Sequence, residues 1–181
     1  MDMAFLLNLC IIPISLIGFY QAYKLVGKQI FIYYTEISNF IALVSSILYV
    51  LGIHMSDLRY TAVCMLSMTA LISLFVLSPM DGGIRKNMIE GNTLCHHTLV
   101  PLLTLISYVF FEVHSKAYYY PVIISLVYGL WMYYLNYKKK MEGPYPFFKI
   151  YEVGFTMAVV WLIVLVAAIL LISFGVIQIA G

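Results

Sequence analysis

Charge is what this chain has least of. Only 10% of its 181 residues are Asp, Glu, Lys or Arg, while 64% are apolar. A soluble domain carries roughly 25% charged residues. With so little polar side chain the protein cannot cover itself in water, so a soluble globule is excluded and an integral membrane protein is expected. Cysteine is scarce as well. Cys10, Cys64 and Cys95 are odd in number and lie in or beside apolar runs, which argues against a disulfide framework and for small buried hydrophobes. There is no Gly-x-Ser-x-Gly, no phosphate loop and no dinucleotide fingerprint, so no cofactor is expected. The net charge of +2 is small and its basic part lies beside apolar runs, so nucleic acid has no support as a partner. The first residues, Met1-Asp2-Met3, lack Lys and Arg, which reads as the start of a span rather than a secretory leader.

What the chain does have is long apolar runs. A membrane-spanning helix needs ~20 mostly apolar residues, and six runs qualify or nearly do, at about 4–23, 30–53, 60–80, 94–111, 118–137 and 153–178. They are continuous rather than alternating, so they predict helices and not the ~9–11-residue strands of a membrane barrel. The expected fold is an all-α, single-domain bundle of six transmembrane helices over residues 1–181. Tyrosines cluster near the predicted span ends, at Tyr118-Tyr119-Tyr120, Tyr133-Tyr134 and Tyr145, as interfacial aromatics do. The connections after spans one, three and five hold Lys24, Lys28, Arg85, Lys86, Lys138, Lys139, Lys140 and Lys149; those after spans two and four hold only Arg59 and Lys116. That asymmetry predicts odd-numbered connections in the cytoplasm and both termini outside.

Within span two stands a polar cluster, Tyr33-Tyr34-Thr35-Glu36-Ile37-Ser38-Asn39. On a helix Thr35, Ser38 and Asn39 share a face. Polar groups at membrane depth point into a bundle or cavity, so the cluster is either a packing face, with Asn39 bonding across to a neighbour, or one wall of an active site. Glu36, the single acid well inside a span, could orient an imidazole or take a proton; its shallow position predicts snorkelling to the interface. His96 and His97 open span four. They point about 100° apart on a helix, so they serve different roles. At a helix N-terminus a neutral imidazole is favoured and could act as a base; the competing role is a hydrogen bond to a neighbouring helix. Span parity puts Thr35, the two histidines and the Gly143-Pro144-Tyr145-Pro146-Phe147 turn on the Lys/Arg-rich side, at one membrane level. No metal site is expected. Cys95, His96 and His97 cannot all face one ion, His54 and His114 lie on the other side, and no His-x-x-x-His or Glu-x-x-His spacing occurs.

Taken in order, Tyr34-Thr35…Ser38-Asn39, His97-Thr98-Leu99-Val100-Pro101-Leu102, Tyr120-Pro121 and Tyr145-Pro146-Phe147 resemble the androgen-induced and androgen-dependent TFPI-regulating protein family and its small bacterial relatives. Those are six-span membrane proteins, and the animal members are threonine hydrolases of fatty acid esters of hydroxy fatty acids. The resemblance implies Thr35 as nucleophile and His97 as base, with His96 as rival because animal members set the histidine one residue further from the proline. It implies a lipid or fatty acyl ester as substrate, the bilayer as partner and a bacterial cell membrane as location. A Thr hydroxyl becomes nucleophilic when a neutral His within ~3 Å removes its proton, and Asn39, Ser38 or a span-four backbone N–H could hold the oxyanion. Two other readings stand beside this one: a membrane acyltransferase carrying the acyl group on Cys95 or Thr35, and a non-enzymatic lipid-binding carrier.

Overall fold

The computed structural model describes residues 2–180, and all regular structure among them is helical. The longer helices are α1 (Met3–Val26), α2 (Tyr34–Val50), α3 (Ser56–Ile72), α4 (Val100–Phe111), α5 (Tyr119–Tyr137) and α6 (Phe155–Ala180). Counting the turns that extend them, four stretches are long and apolar enough to cross a membrane: Met3–Ile32, Ser56–Met80, Leu94–Phe111 and Phe155–Ala180. α2 is apolar but shorter; α5 carries six tyrosines in its 19 residues, which lowers its hydropathy.

Each helix begins and packs for a local reason. The Asp2 carboxylate accepts the Ala4 N–H and caps α1. The buried positions of α1 are Ala4, Asn8, Ile11, Ser15, Gly18 and Ala22, alternating four and three residues apart. This seam of mostly small side chains lets the backbones of α2 and α4 come close. α6 is the most outward-facing: Phe155, Ile163, Leu171, Phe174 and Ile179 are exposed, as suits a lipid-facing surface. It is held by the Tyr60 hydroxyl on α3, which donates to Ser173 O at 2.7 Å.

Prolines widen two of the helices. Pro79 and Pro101 each stand inside a continuous helical run, where the ring crowds the carbonyl four residues back and no N–H is available to bond it. In both cases the preceding turn relaxes to i→i+5 spacing, over Ser73–Leu77 and over Leu94–Leu99. The second wide turn carries His96 and His97. Between the two lies a segment that the apolar pattern did not reveal, a further wide helical turn at Arg85–Ile89.

At the end of the bundle away from His96 and His97, Arg59 and Glu112 form a two-pronged ion pair, Nε–Oε2 and Nη2–Oε1 both 2.8 Å, with 2% of each side chain exposed. Arg59 also donates to Ser45 and Ser46, and Glu112 accepts from Asn8 and Ser107. Burial pushes the Glu112 carboxyl up, but the Arg59 hydrogen bonds and charge, with those from Ser107 and Asn8, outweigh it and hold the carboxyl below its ordinary value. This corrects the placement of Arg59 in a loop. α3 starts earlier than the apolar pattern suggests, and the guanidinium turns inward because a carboxylate and two hydroxyls wait there. Arg59→Ala should cost about 3–5 kcal/mol by stranding a buried carboxylate, and the double variant Arg59→Met/Glu112→Leu should recover most of it. Thermal unfolding in detergent reads both; equal losses in the single and double variants would show that packing, not charge pairing, sets the stability there.

Candidate active site

The polar cluster sits on the first turns of α2, and the start of that helix is unusual. Its N-cap position, Tyr33, makes no side-chain cap. Instead two tyrosine hydroxyls from elsewhere accept the first helical N–H groups: Tyr128 Oη from Tyr34 N at 3.1 Å, and Tyr145 Oη from Thr35 N at 3.3 Å. Tyr128 in turn donates to Ile32 O at 2.8 Å. Tyr145 comes from the connection between α5 and α6, where the Pro146–Phe148 turn and the adjoining rings of Tyr33 and Phe147 fix it.

Thr35 Oγ1 lies 3.3 Å from His97 Nε2 and 3.2 Å from Tyr145 Oη. His97 Nδ1 lies 2.6 Å from the backbone carbonyl of Asn87. A carbonyl can only accept, so Nδ1 carries the ring proton and Nε2 offers its lone pair to the threonine. The proton directions then follow in one sense: Thr35 N–H to Tyr145, Tyr145 O–H to Thr35 Oγ1, Thr35 O–H to His97 Nε2, His97 Nδ1–H to Asn87. Burial pushes the Tyr145 phenol up to about 12, against the lowering effect of its bonds to Thr35, so it remains a donor at neutral pH. The Asn87 carbonyl is itself held in place. The Asn87 amide donates to Asp81 O at 2.5 Å and Gly83 O at 3.1 Å, and Thr98 Oγ1 donates to Met88 O at 2.6 Å. Gly82 and Gly83, both at φ +78°, make the turn that lets this segment fold back.

His96 has different surroundings. It is fully buried, with Nε2 3.1 Å from Ser15 O on α1 and Nδ1 2.9 Å from Glu36 Oε2. The Nδ1–Oε2 contact is close but not aligned as a hydrogen bond, and neither atom has another partner. Glu36 therefore does not snorkel: its carboxylate is buried, because His96 reaches it from the next helix. Ser38 and Asn39, the expected oxyanion donors, have other partners here. The Ser38 hydroxyl donates to Thr35 O at 2.8 Å and meets Thr69 Oγ1. The Asn39 amide donates to Thr35 O at 2.8 Å and His96 O at 3.1 Å, so both of its protons are spent on backbone. They brace the helix turn of Thr35 and tie it to the histidine turn.

Two clefts meet at Thr35. One, of about 550 Å³ of empty space, runs between α3, α5 and α6; its wall is mainly apolar, including Met68, Ile72, Leu162 and Leu165. The other, of about 810 Å³, is the more polar of the two, with Glu36, Asp81, Asn87, Asn92, Thr93 and His97 in its wall beside apolar residues such as Leu25 and Val26. Thr35, Leu77 and Tyr145 border both. Cys95 borders neither. Among the described residues no group of three or more His, Cys, Asp or Glu could hold a metal ion.

No family model, no curated protein and no solved structure matches the chain. The chemistry therefore rests on the geometry. The resemblance pointed to Thr35 and the histidines, and span parity had set the Tyr145 turn at their level. Asn87 and Gly18 were not legible. Asn87 is one polar residue in a basic connection, and its contribution is a backbone atom. Gly18 is one glycine in an apolar run, yet a β-carbon there would lie 2.2 Å from His96 Nε2. Gly18→Ala should cost about 1–3 kcal/mol by forcing His96 aside; unchanged unfolding in detergent would show that the imidazole has room to move.

Proposed function

We propose that this chain is an intramembrane lipid-ester hydrolase in which Thr35 is the nucleophile and His97 the general base. The observation that carries the reading is the 3.3 Å contact between Thr35 Oγ1 and His97 Nε2, with Nδ1 bonded to a carbonyl that fixes the basic nitrogen toward the hydroxyl. The mainly apolar wall of the cleft beside Thr35 supports an acyl chain as the substrate's apolar part. The polar cleft supports entry of water and exit of the alcohol. The resemblance to the androgen-induced and androgen-dependent TFPI-regulating proteins points the same way. In this reading all six helices cross a bacterial cell membrane, α2 and α5 through packing against the four that are long and apolar enough alone. Both termini are extracytoplasmic, and the burial of Arg59 leaves that Lys/Arg bias in the same direction.

A fluorophosphonate probe in detergent tests the nucleophile. Wild type should be labelled, Thr35→Ala should not, and His97→Ala should slow labelling by about 10²–10⁴-fold. His96→Ala should act less, because His96 does not touch Thr35. Undiminished labelling of Thr35→Ala would sink the assignment. Turnover with and without an acceptor lipid separates hydrolysis from acyl transfer, and a wild type that takes no label but copurifies with lipid would favour a carrier.

The polar cleft also bears on the substrate. Its wall includes Glu36, which faces His96, and Asp81, which is paired with Lys86, and no Lys or Arg lines it to receive a further anion, so an ester of an uncharged alcohol should be cleaved faster than one whose alcohol portion carries a carboxylate or phosphate. Paired kcat/KM values for a monoacylglycerol and a lysophosphatidate of the same chain length decide this; equal or reversed values would count against it.

A further inference from the structure

The two tyrosines that cap α2 are not equivalent, and the difference has a chemical consequence. Tyr128 accepts one N–H and donates to a backbone carbonyl, so its hydroxyl is fully used by the fold. Tyr145 accepts the Thr35 N–H, but its own proton has only Thr35 Oγ1 as acceptor, and its ring borders both clefts. In the resting site the Thr35 N–H and the Tyr145 O–H therefore point into the space beside the hydroxyl and bond each other's residues. A third oxygen placed there could take the Tyr145 proton by rotation of that hydroxyl, and the Thr35 N–H by a small displacement of the Tyr145 oxygen that now accepts it. An oxyanion needs donors aimed at the point where its charge develops, in a site already ordered before reaction. The nucleophile's own backbone N–H is one such donor by position, because the new oxygen lies on the carbon bound to Oγ1. Thr35 is also in the first turn of a 17-residue helix, whose positive end favours an anion.

We infer that Tyr145 is a catalytic residue, and that its hydroxyl and the Thr35 N–H together form the oxyanion site. This rests on the hydrolase reading above. As Thr35 Oγ1 bonds to the ester carbon, its proton passes to His97 Nε2 and the carbonyl π pair moves onto oxygen, which takes hydrogen bonds from Thr35 N–H and Tyr145 O–H. Collapse restores the C=O, breaks the bond to the alcohol oxygen, and returns the His97 proton to that oxygen. Water then attacks the acyl-threonine carbon, giving its proton to His97; the same two donors hold the second oxyanion, and collapse returns Thr35 with its proton and releases the fatty acid. Tyr145 neither gains nor loses a proton in the cycle. With the carbonyl oxygen held between the clefts, the acyl chain lies in the apolar one and the alcohol in the polar one.

The experiment compares Tyr145→Phe with Tyr128→Phe, using p-nitrophenyl laurate and its thionoester, in which sulfur is the poorer hydrogen-bond acceptor. Tyr145→Phe keeps the ring packing. It should lower kcat about 10²–10³-fold with KM little changed, and should shrink the ester-to-thionoester rate ratio, which loss of positioning alone would not do. Tyr128→Phe should lower the unfolding temperature while leaving that ratio as in wild type. A Tyr145→Phe variant that keeps wild-type kcat, or loses rate with the ratio intact, overturns the inference and leaves the hydrolase reading standing. A folded wild type that neither cleaves the ester nor takes a fluorophosphonate overturns both. Should Tyr145→Phe fail to fold, the wild-type ratio decides: a ratio no larger than that of uncatalysed hydrolysis also overturns the inference.

Discussion

The carbonyl oxygen of Asn87 can only accept a hydrogen bond, and the rest of the site depends on that restriction. Because it accepts from His97 Nδ1, the other ring nitrogen is free to face Thr35. Because the threonine proton then points at His97, its oxygen is free to accept from Tyr145. A backbone atom thus does what a carboxylate does in the familiar Ser–His–Asp arrangement: it selects the tautomer and holds the ring. It brings no charge, which suits a place where an unpaired anion is costly. The burden moves to the backbone itself, and so the short segment from Asp81 to Thr93 is tied down by Asn87, Thr93 and Thr98 side chains.

Two buried polar systems brace the helices at opposite ends. At one end Arg59 and Glu112 collect side chains from α1, α2 and the region around α4. At the other, Asn39 joins the carbonyls of Thr35 and His96, while His96 reaches across to Ser15 and Glu36. Between them the contacts are largely apolar, through Tyr60, Met65, Leu66 and Tyr108. Lipid-facing helices gain little from apolar contact alone, since lipid offers the same contact. Satisfied polar groups and close small-residue seams therefore fix which helices meet and at what depth.

The helices were legible because apolar runs of span length have few alternatives. Span parity gave the expectation that Thr35, His97 and the Tyr145 turn share one level, and in the structure the three side chains meet. The roles of the neighbours were not legible. Composition shows that Glu36 and Arg59 are charged, but their burial depends on partners 60 and 53 residues away, His96 and Glu112. Asn39 and Ser38 have the right chemistry for oxyanion donors, yet local carbonyls claim their protons first. The wide turns were legible only in part: those before Pro79 and Pro101 follow from a proline displacing the bond four residues back, but Pro13 sits inside α1 without one and the turn at Arg85–Ile89 has no proline.

Of the three residues that border both clefts, Leu77 alone takes no part in the proton chain. The two clefts are therefore parted there by little more than one layer of side chains. On the proposed reaction Leu77 would be the gasket in that wall. Its size would decide whether an acyl chain on one side stays dry while the ester bond beside it meets water.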